Sequence, residues 1–129
     1  MESKKPIVLV IEDELSLTKI YQQKLQEHYS VHIAKTGTEG IQKAIDLKPS
    51  LILLDIILPG EDDGFNVLTK LKKDPKTSSI PIFVATNLSQ EWKDQAMELG
   101  ADEYLTKTDI SLSKIIEMIN KYLNKWTKF

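Results

Sequence analysis

The chain predicts an α/β fold of the doubly wound kind, a five-stranded parallel sheet with helices on both faces. Three observations carry that expectation. Five short apolar runs alternate strictly with five stretches of helical period. Two of those runs, Ile7 to Ile11 and Leu51 to Leu54, are apolar without alternation, as expected of strands covered on both faces. Acids stand where these two runs end: Glu12, Asp13 and Glu14 after the first, Asp55 after the second.

Ile7 to Ile11 follows Lys4, Lys5 and Pro6 and is the first strand. Leu17, Ile20, Tyr21 and Leu25 recur at spacings of three and four, which predicts an amphipathic helix over 14–28. Val31 and Ile33 flank His32 and predict a short strand from Ser30 to Ala34. Thr36 and Glu39 form a capping box, in which hydroxyl and carboxylate each satisfy a free backbone N–H; the helix it opens runs to about Leu47 and is closed by Pro49. The third strand delivers Asp55. Beyond a loop broken by Pro59 and Gly60, residues Phe65, Val67, Leu68 and Leu71 predict a third helix that Pro75 stops. Ile80 to Ala85 is the fourth strand, with Thr86 at its exit. Trp92, Ala96, Met97 and Leu99 predict a fourth helix, capped by Asn87 or Ser89 and ended by Gly100, where a left-handed backbone suits glycine. Glu103 to Thr106 is a short fifth strand followed by Lys107. From Ser111, the positions Leu112, Ile115, Ile116, Ile119, Tyr122, Leu123 and Trp126 keep a helical period and predict a long final helix.

Strict alternation means parallel strands joined by crossover helices. Because such crossovers are right-handed, covering both faces requires the winding to reverse once. The two most apolar strands should be central neighbours, which puts the reversal between the exits of Ile11 and Leu54. Open α/β sheets bind their ligands at that point, outside the carboxyl ends of the strands.

Composition narrows the function classes. At 129 residues, 41% hydrophobic and 28% charged, the chain is expected to form one domain over 1–129 with its own core. With 17 basic against 19 acidic residues it lacks the electrostatic footprint of non-specific nucleic-acid binding. The absence of cysteine removes disulfides, thiolate zinc sites and cysteine nucleophiles. The apolar run near the N-terminus is too short for a signal peptide or a membrane span, so a cytoplasmic protein with no membrane partner is expected. His28 and His32 have no ligand-like spacing and are assigned no function.

Glu12, Asp13 and Asp55, converging at one sheet edge, would repel one another unless a cation neutralised them. Oxygen-only ligands select a hard metal. Mg²⁺ suits best, since it takes one or two carboxylates, keeps several waters and leaves a position for a phosphate oxygen. At the remaining strand exits Thr86 and Lys107 offer a hydroxyl donor and an ammonium, which completes a cradle for a phosphoryl group.

Four stretches in order carry a resemblance: IEDE after the first strand, LLDIILPG around Asp55, VAT at the fourth strand and GADEYLTK leading to Lys107. Together they resemble the receiver domain of two-component response regulators, of the single-domain chemotaxis-regulator type, over essentially the whole chain. The resemblance implies a flavodoxin-like (βα)5 fold with strand order 2-1-3-4-5. It implies that Asp55 is the phosphoacceptor, taking its phosphoryl group from the phosphohistidine of a sensor histidine kinase or a histidine phosphotransfer protein in a Mg²⁺-dependent reaction. Asp13 would hold Mg²⁺ directly and Glu12 through water, with the Ile57 carbonyl completing the protein ligands. Thr86 and Lys107 would bind the phosphoryl oxygens, and Tyr104 would switch its position with Thr86. Only the chain's own phosphorylation and dephosphorylation are implied, so it is not expected to be an enzyme acting on other substrates. The face of the fourth helix, fifth strand and final helix would respond, and Met118, Tyr122 and Trp126 widen its apolar arc for an output protein or a homodimer. Ile57 and Leu88 would flank the path of the hydrolytic water and, being apolar, would prolong the phosphorylated state.

Three positions depart from the family pattern. GEDD between Pro59 and Gly64 is one residue longer than the common spacing, Thr108 replaces the proline usual after the lysine, and Asn87 replaces the small residue usual after Thr86. Two other readings fare worse. A phosphatase of the haloacid dehalogenase type needs a second acid where Ile57 stands, and a flavodoxin needs a phosphate-binding first loop where Glu12, Asp13 and Glu14 would repel one. A receiver-like interaction module that is never phosphorylated is the remaining alternative.

Overall fold

A computed structural model describes residues 5–127, with side chains through residue 124. Its elements in chain order are β1 (Ile7–Ile11), α1 (Leu15–Leu25), β2 (Ser30–Ala34), α2 (Gly37–Leu47), β3 (Leu51–Leu54), α3 (Gly64–Lys73), β4 (Ile82–Thr86), α4 (Lys93–Glu98), β5 (Glu103–Thr106) and α5 (Leu112–Thr127). A single 3-10 turn, Gln90–Trp92, leads into α4. The strands pair in parallel in the order β2-β1-β3-β4-β5. The expected fold and strand order are therefore the ones observed.

The unbroken apolar strands work as the sequence requires. Alternate residues of each strand point to opposite faces, so Leu9, Ile11, Ile52, Leu54, Ile82 and Val84 join one core with α2, α3 and α4. Val8, Val10, Leu51, Leu53, Phe83 and Ala85 join a second core with α1 and α5. Each fully buried Leu or Ile here contributes about 1.5–3 kcal/mol relative to exposure. The helices change faces after α1, so the winding reverses between β1 and β3, and Leu54 pairs with Ile11 at the carboxyl edge. No helix among the described residues is long and apolar enough to cross a membrane.

Three boundaries differ from expectation. The first helix ends at Leu25 rather than 28, because Tyr29 must return to the core, where its hydroxyl donates to Asn120 Oδ1 at 2.8 Å. The fourth strand begins at Ile82 and includes Thr86; Pro81 has no N–H for the ladder, and Ile80 closes a turn by donating to the Thr77 carbonyl. The fourth helix keeps only six residues, Leu99 lying just past it. Ser89 rather than Asn87 precedes its 3-10 turn, but the Ser89 hydroxyl donates to Glu91 Oε1 instead of capping. The capping box at α2 forms with a shift, since Thr36 Oγ1 accepts from Glu39 N while the Glu39 carboxylate accepts from Lys35 N. Met118 and Tyr122 are half-buried, Tyr122 edge-on to Phe83 with ring centroids 5.3 Å apart, and so pack against the core as well as bordering the surface. The Trp126 side chain lies outside those described.

Gly64 sets how the chain leaves β3. It starts α3, its N–H donates to the Ile56 carbonyl at 2.8 Å, and a Cβ there would run into Ile56 Cα and the Asp55 carbonyl, both backbone. Gly64→Ala should therefore destabilise the protein by about 3 kcal/mol, since overpacking against backbone cannot relax through side chains. Chemical denaturation checks this; a change below 1 kcal/mol, on the order of a tolerated surface substitution, would contradict the close approach.

Candidate phosphoacceptor site

Each functional side chain is placed by the end of a strand. Glu12 directly follows β1, and its N–H donates to the Ala34 carbonyl, extending the ladder by one residue. Asp55 follows β3 in the same way, donating to the Ile11 carbonyl at 3.0 Å. Lys107 follows β5 and donates its N–H to the Thr86 carbonyl at 2.8 Å. The three side chains meet: Lys107 Nζ lies 2.6 Å from Glu12 Oε1 and 3.0 Å from Asp55 Oδ2. The other carboxylate oxygens are also bonded, Glu12 Oε2 by the Glu14 N–H and Asp55 Oδ1 by the Ile57 N–H, each at 3.1 Å.

Two buried carboxylates share one ammonium, which leaves one negative charge without a counter-charge. Burial raises the Glu12 carboxyl above the ordinary range; the Lys107 hydrogen bond opposes this and the Asp55 charge adds to it. For Lys107 burial acts downward, but the Glu12 hydrogen bond and the Asp55 charge outweigh it and hold the ammonium above its ordinary value.

The third acid does not join them. Asp13 is exposed, and among the described residues no three Asp, Glu, His or Cys side chains form a group that could hold a metal. The expected convergence of three carboxylates is thus a convergence of two, because Lys107 lies between Glu12 and Asp55 and does part of the neutralising. The donor set still suits a hard cation. It is all oxygen, it carries excess negative charge, and it opens toward solvent at Ile57, whose N–H bonds Asp55 Oδ1.

Thr86 is fully buried, and its Oγ1 accepts from the Leu88 N–H at 3.3 Å. Tyr104, on β5, is buried at 4% exposure, and its hydroxyl donates to the Ser89 carbonyl at 2.9 Å. Leu88 packs against the same core as Tyr104, whereas Ile57 is 54% exposed.

Comparison with known proteins decides what this arrangement belongs to. Residues 8–120 match the model of the response regulator receiver domain. The chain is a response regulator receiver domain. This receiver is 34% identical to Protein PilH of Pseudomonas aeruginosa, over 90% of its own length and 96% of PilH. It superposes with a TM-score of 0.84 on a CheY-like receiver domain protein from Methanospirillum hungatei, 29% identical, covering 98% of both chains. It also resembles the Mn²⁺-bound form of response regulator Rcp1, with a TM-score of 0.74 and 26% identity over 94% of each chain. Against three other curated relatives it spans only 41% to 43% of their length.

Several residues around the receiver's site were not foreseen from sequence. Asp109 closes the turn that carries Lys107: Thr106 Oγ1 donates to Asp109 Oδ2 at 2.6 Å and the Asp109 N–H to the Thr106 carbonyl, without a proline at position 108 and with no cis peptide among the described residues. Tyr21 is buried with an unpartnered hydroxyl, held above its ordinary pKa by burial first and then by the charges of Glu12 and Asp55. Asp62, in the lengthened loop, is buried and doubly bonded. Only the last had a signal in the sequence, three adjacent acids before a helix, of which Asp63 caps α3 and Asp62 needs a different partner.

Proposed function

We propose that this receiver accepts a phosphoryl group on Asp55 from the phosphohistidine of a sensor histidine kinase or a histidine phosphotransfer protein, in the cytoplasm. The observation that carries the reading is the Asp55 carboxylate, nearly buried at the end of a central strand yet bonded on both oxygens by groups that orient it, Lys107 and the Ile57 N–H. In the step, an Asp55 oxygen forms a bond to phosphorus as the phosphorus–nitrogen bond breaks; the electron pair goes to the imidazole, which then takes up a proton. Lys107 offsets the charge of the incoming oxygens while it remains beside Asp55. Thr86 lends its hydroxyl once it leaves the Leu88 N–H.

Mg²⁺ would be held by Asp13, Asp55 and the Ile57 carbonyl, with Glu12 acting through water, and when bound it supplies charge neutralisation for the transferred group. That response regulator Rcp1 has a Mn²⁺-bound form supports divalent-cation binding by this chain. The chain catalyses only its own phosphorylation and the loss of that group. The signal passes along a short route: drawing Thr86 Oγ1 away frees the Leu88 N–H, and the 88–89 carbonyls that accept from Tyr104 move with it. The α4-β5-α5 face then offers a changed surface to an output protein or a second copy of the chain.

The test is incubation with acetyl phosphate and Mg²⁺ followed by intact mass. A single phosphoryl gain that hydroxylamine removes is expected, since an acyl phosphate reacts with hydroxylamine and a phosphate ester on a hydroxyl does not. A gain that resists hydroxylamine would place the group on a hydroxyl and refute the reading.

A further inference from the structure

We propose that Asp62 is a positioning residue for the phosphoacceptor, clamping the loop after Asp55 to α2 and α3 so that the Ile57 N–H stays on the Asp55 carboxylate. The proposal rests on Asp55 being the acceptor. Residues 55–63 form a longer connection than the usual four to six. Most of it is exposed: Ile57, Pro59, Gly60, Glu61 and Asp63 face solvent, and Gly60 takes a positive φ of 90° at the tip. Such a loop would leave the Ile57 amide mobile unless both of its ends were fixed.

The two ends of the loop are tied to each other by backbone, through the Gly64 N–H on the Ile56 carbonyl at 2.8 Å. Asp63 Oδ1 caps α3 by accepting from the Asn66 N–H, and the Asp62 carboxylate ties the loop to α2 as well as to α3. Asp62 Oδ2 accepts from the Thr38 hydroxyl of α2 at 3.0 Å, and Asp62 Oδ1 accepts from Lys70 Nζ of α3 at 2.8 Å. The Asp62 side chain is only 10% exposed although it belongs to a surface loop, while Lys70 is 59% exposed. The bond to Thr38 is therefore the better protected, and the Lys70 pair is partly screened. Gly37 completes the fit, because the backbone carbonyl and Cβ of Asp62 occupy the space that a Cβ on the first residue of α2 would need. Two helices and the loop thus meet on one side chain.

Its consequence reaches the acceptor through the Ile57 N–H, which holds Asp55 Oδ1 while Lys107 holds Oδ2. Loosening the loop releases one oxygen of the carboxylate, and misplacement of a reacting atom by about 1 Å can cost up to a hundredfold in rate.

The experiment measures solvent exchange of the Ile57 amide proton by NMR in the full, metal-free, unphosphorylated chain, beside phosphoryl uptake from acetyl phosphate at saturating Mg²⁺. Asp62→Ala should speed Ile57 exchange about tenfold and slow uptake about three- to tenfold, within the range of positioning effects. The Lys107 amide, held by the Thr86 carbonyl, should not change. Asp62→Asn keeps an oxygen for Thr38 and should recover most of both effects, and Glu61→Ala, in the exposed part of the loop, should change neither. Unchanged Ile57 exchange in Asp62→Ala, or Ile57 and Lys107 exchange rising together, would overturn the proposal by reducing Asp62 to a purely structural role. Ile57 exchange decides the clamp by itself; a parent that takes no phosphoryl group would instead refute the proposed function.

Discussion

Lys107→Ala is expected to slow phosphoryl uptake by about a hundredfold or more, as removal of one fixed donor from a developing charge does elsewhere, and to destabilise the metal-free protein. The second effect follows from the cluster's geometry. The side chains of Lys107, Glu12 and Asp55 are 12%, 4% and 8% exposed, so removing the ammonium leaves two carboxylates facing each other out of water. Breaking a buried pair by deleting one partner typically costs about 3–5 kcal/mol.

The loss should depend on pH, and its sign is fixed by Glu12. Its carboxyl is already raised above the ordinary value of 4.5 by burial, and Lys107 is the group pulling it back. Without Lys107 the native state keeps a proton on this pair over a window above 4.5 in which the unfolded chain has released it. Stability then falls as pH rises through that window. The deficit of Lys107→Ala in melting temperature should be small near the lower edge and grow toward neutral pH. In the parent, the Lys107 value is raised above 10.5, burial being outweighed by Glu12 and Asp55. Its stabilisation is therefore complete below 10.5 and lost only as pH climbs through the raised value. Thermal melts of both proteins across acid and neutral pH check this, and an equal deficit throughout would contradict the shared ammonium.

Ile57→Asn is expected to shorten the life of the phosphorylated state by about ten- to a hundredfold, the range over which positioning and proton acceptance act. Hydrolysis needs a water in line with phosphorus, opposite the Asp55 oxygen. Ile57 is 54% exposed and its N–H bonds Asp55 Oδ1, so an apolar side chain that can order no water stands next to the acceptor. An amide at this position can hold one. The sequence suggested that Leu88 shares the task, but Leu88 is partly buried against the core, so Leu88→Glu should accelerate hydrolysis less and cost stability as well. Loss of the phosphoryl group followed by intact mass separates the two. Equal lifetimes for the parent and Ile57→Asn would remove Ile57 from the gate.

What was legible in the sequence was the part written in strands. Unbroken apolar runs left no choice but a doubly covered parallel sheet, and the residue after each run had to emerge at the carboxyl edge, which located Glu12, Asp55, Thr86 and Lys107. What was not legible depends on side chains choosing among partners. That Lys107 spans Glu12 and Asp55 while Asp13 turns to solvent is a balance of burial against charge, settled only when the three strand ends are placed in space. The burial of Tyr104 was hidden for a similar reason, since its hydroxyl is satisfied by the 88–89 carbonyls of a loop with no pattern of its own. The early end of α1 came from a competing demand, the return of Tyr29 to the core, which outweighed the local helical period.

The most direct measurement compares the parent with Asp55→Asn after incubation with acetyl phosphate and Mg²⁺, by intact mass. The amide keeps the shape of the carboxylate and loses the nucleophilic oxygen, so the parent should gain one phosphoryl group and Asp55→Asn none. A phosphoryl gain on Asp55→Asn equal to that of the parent would contradict the account.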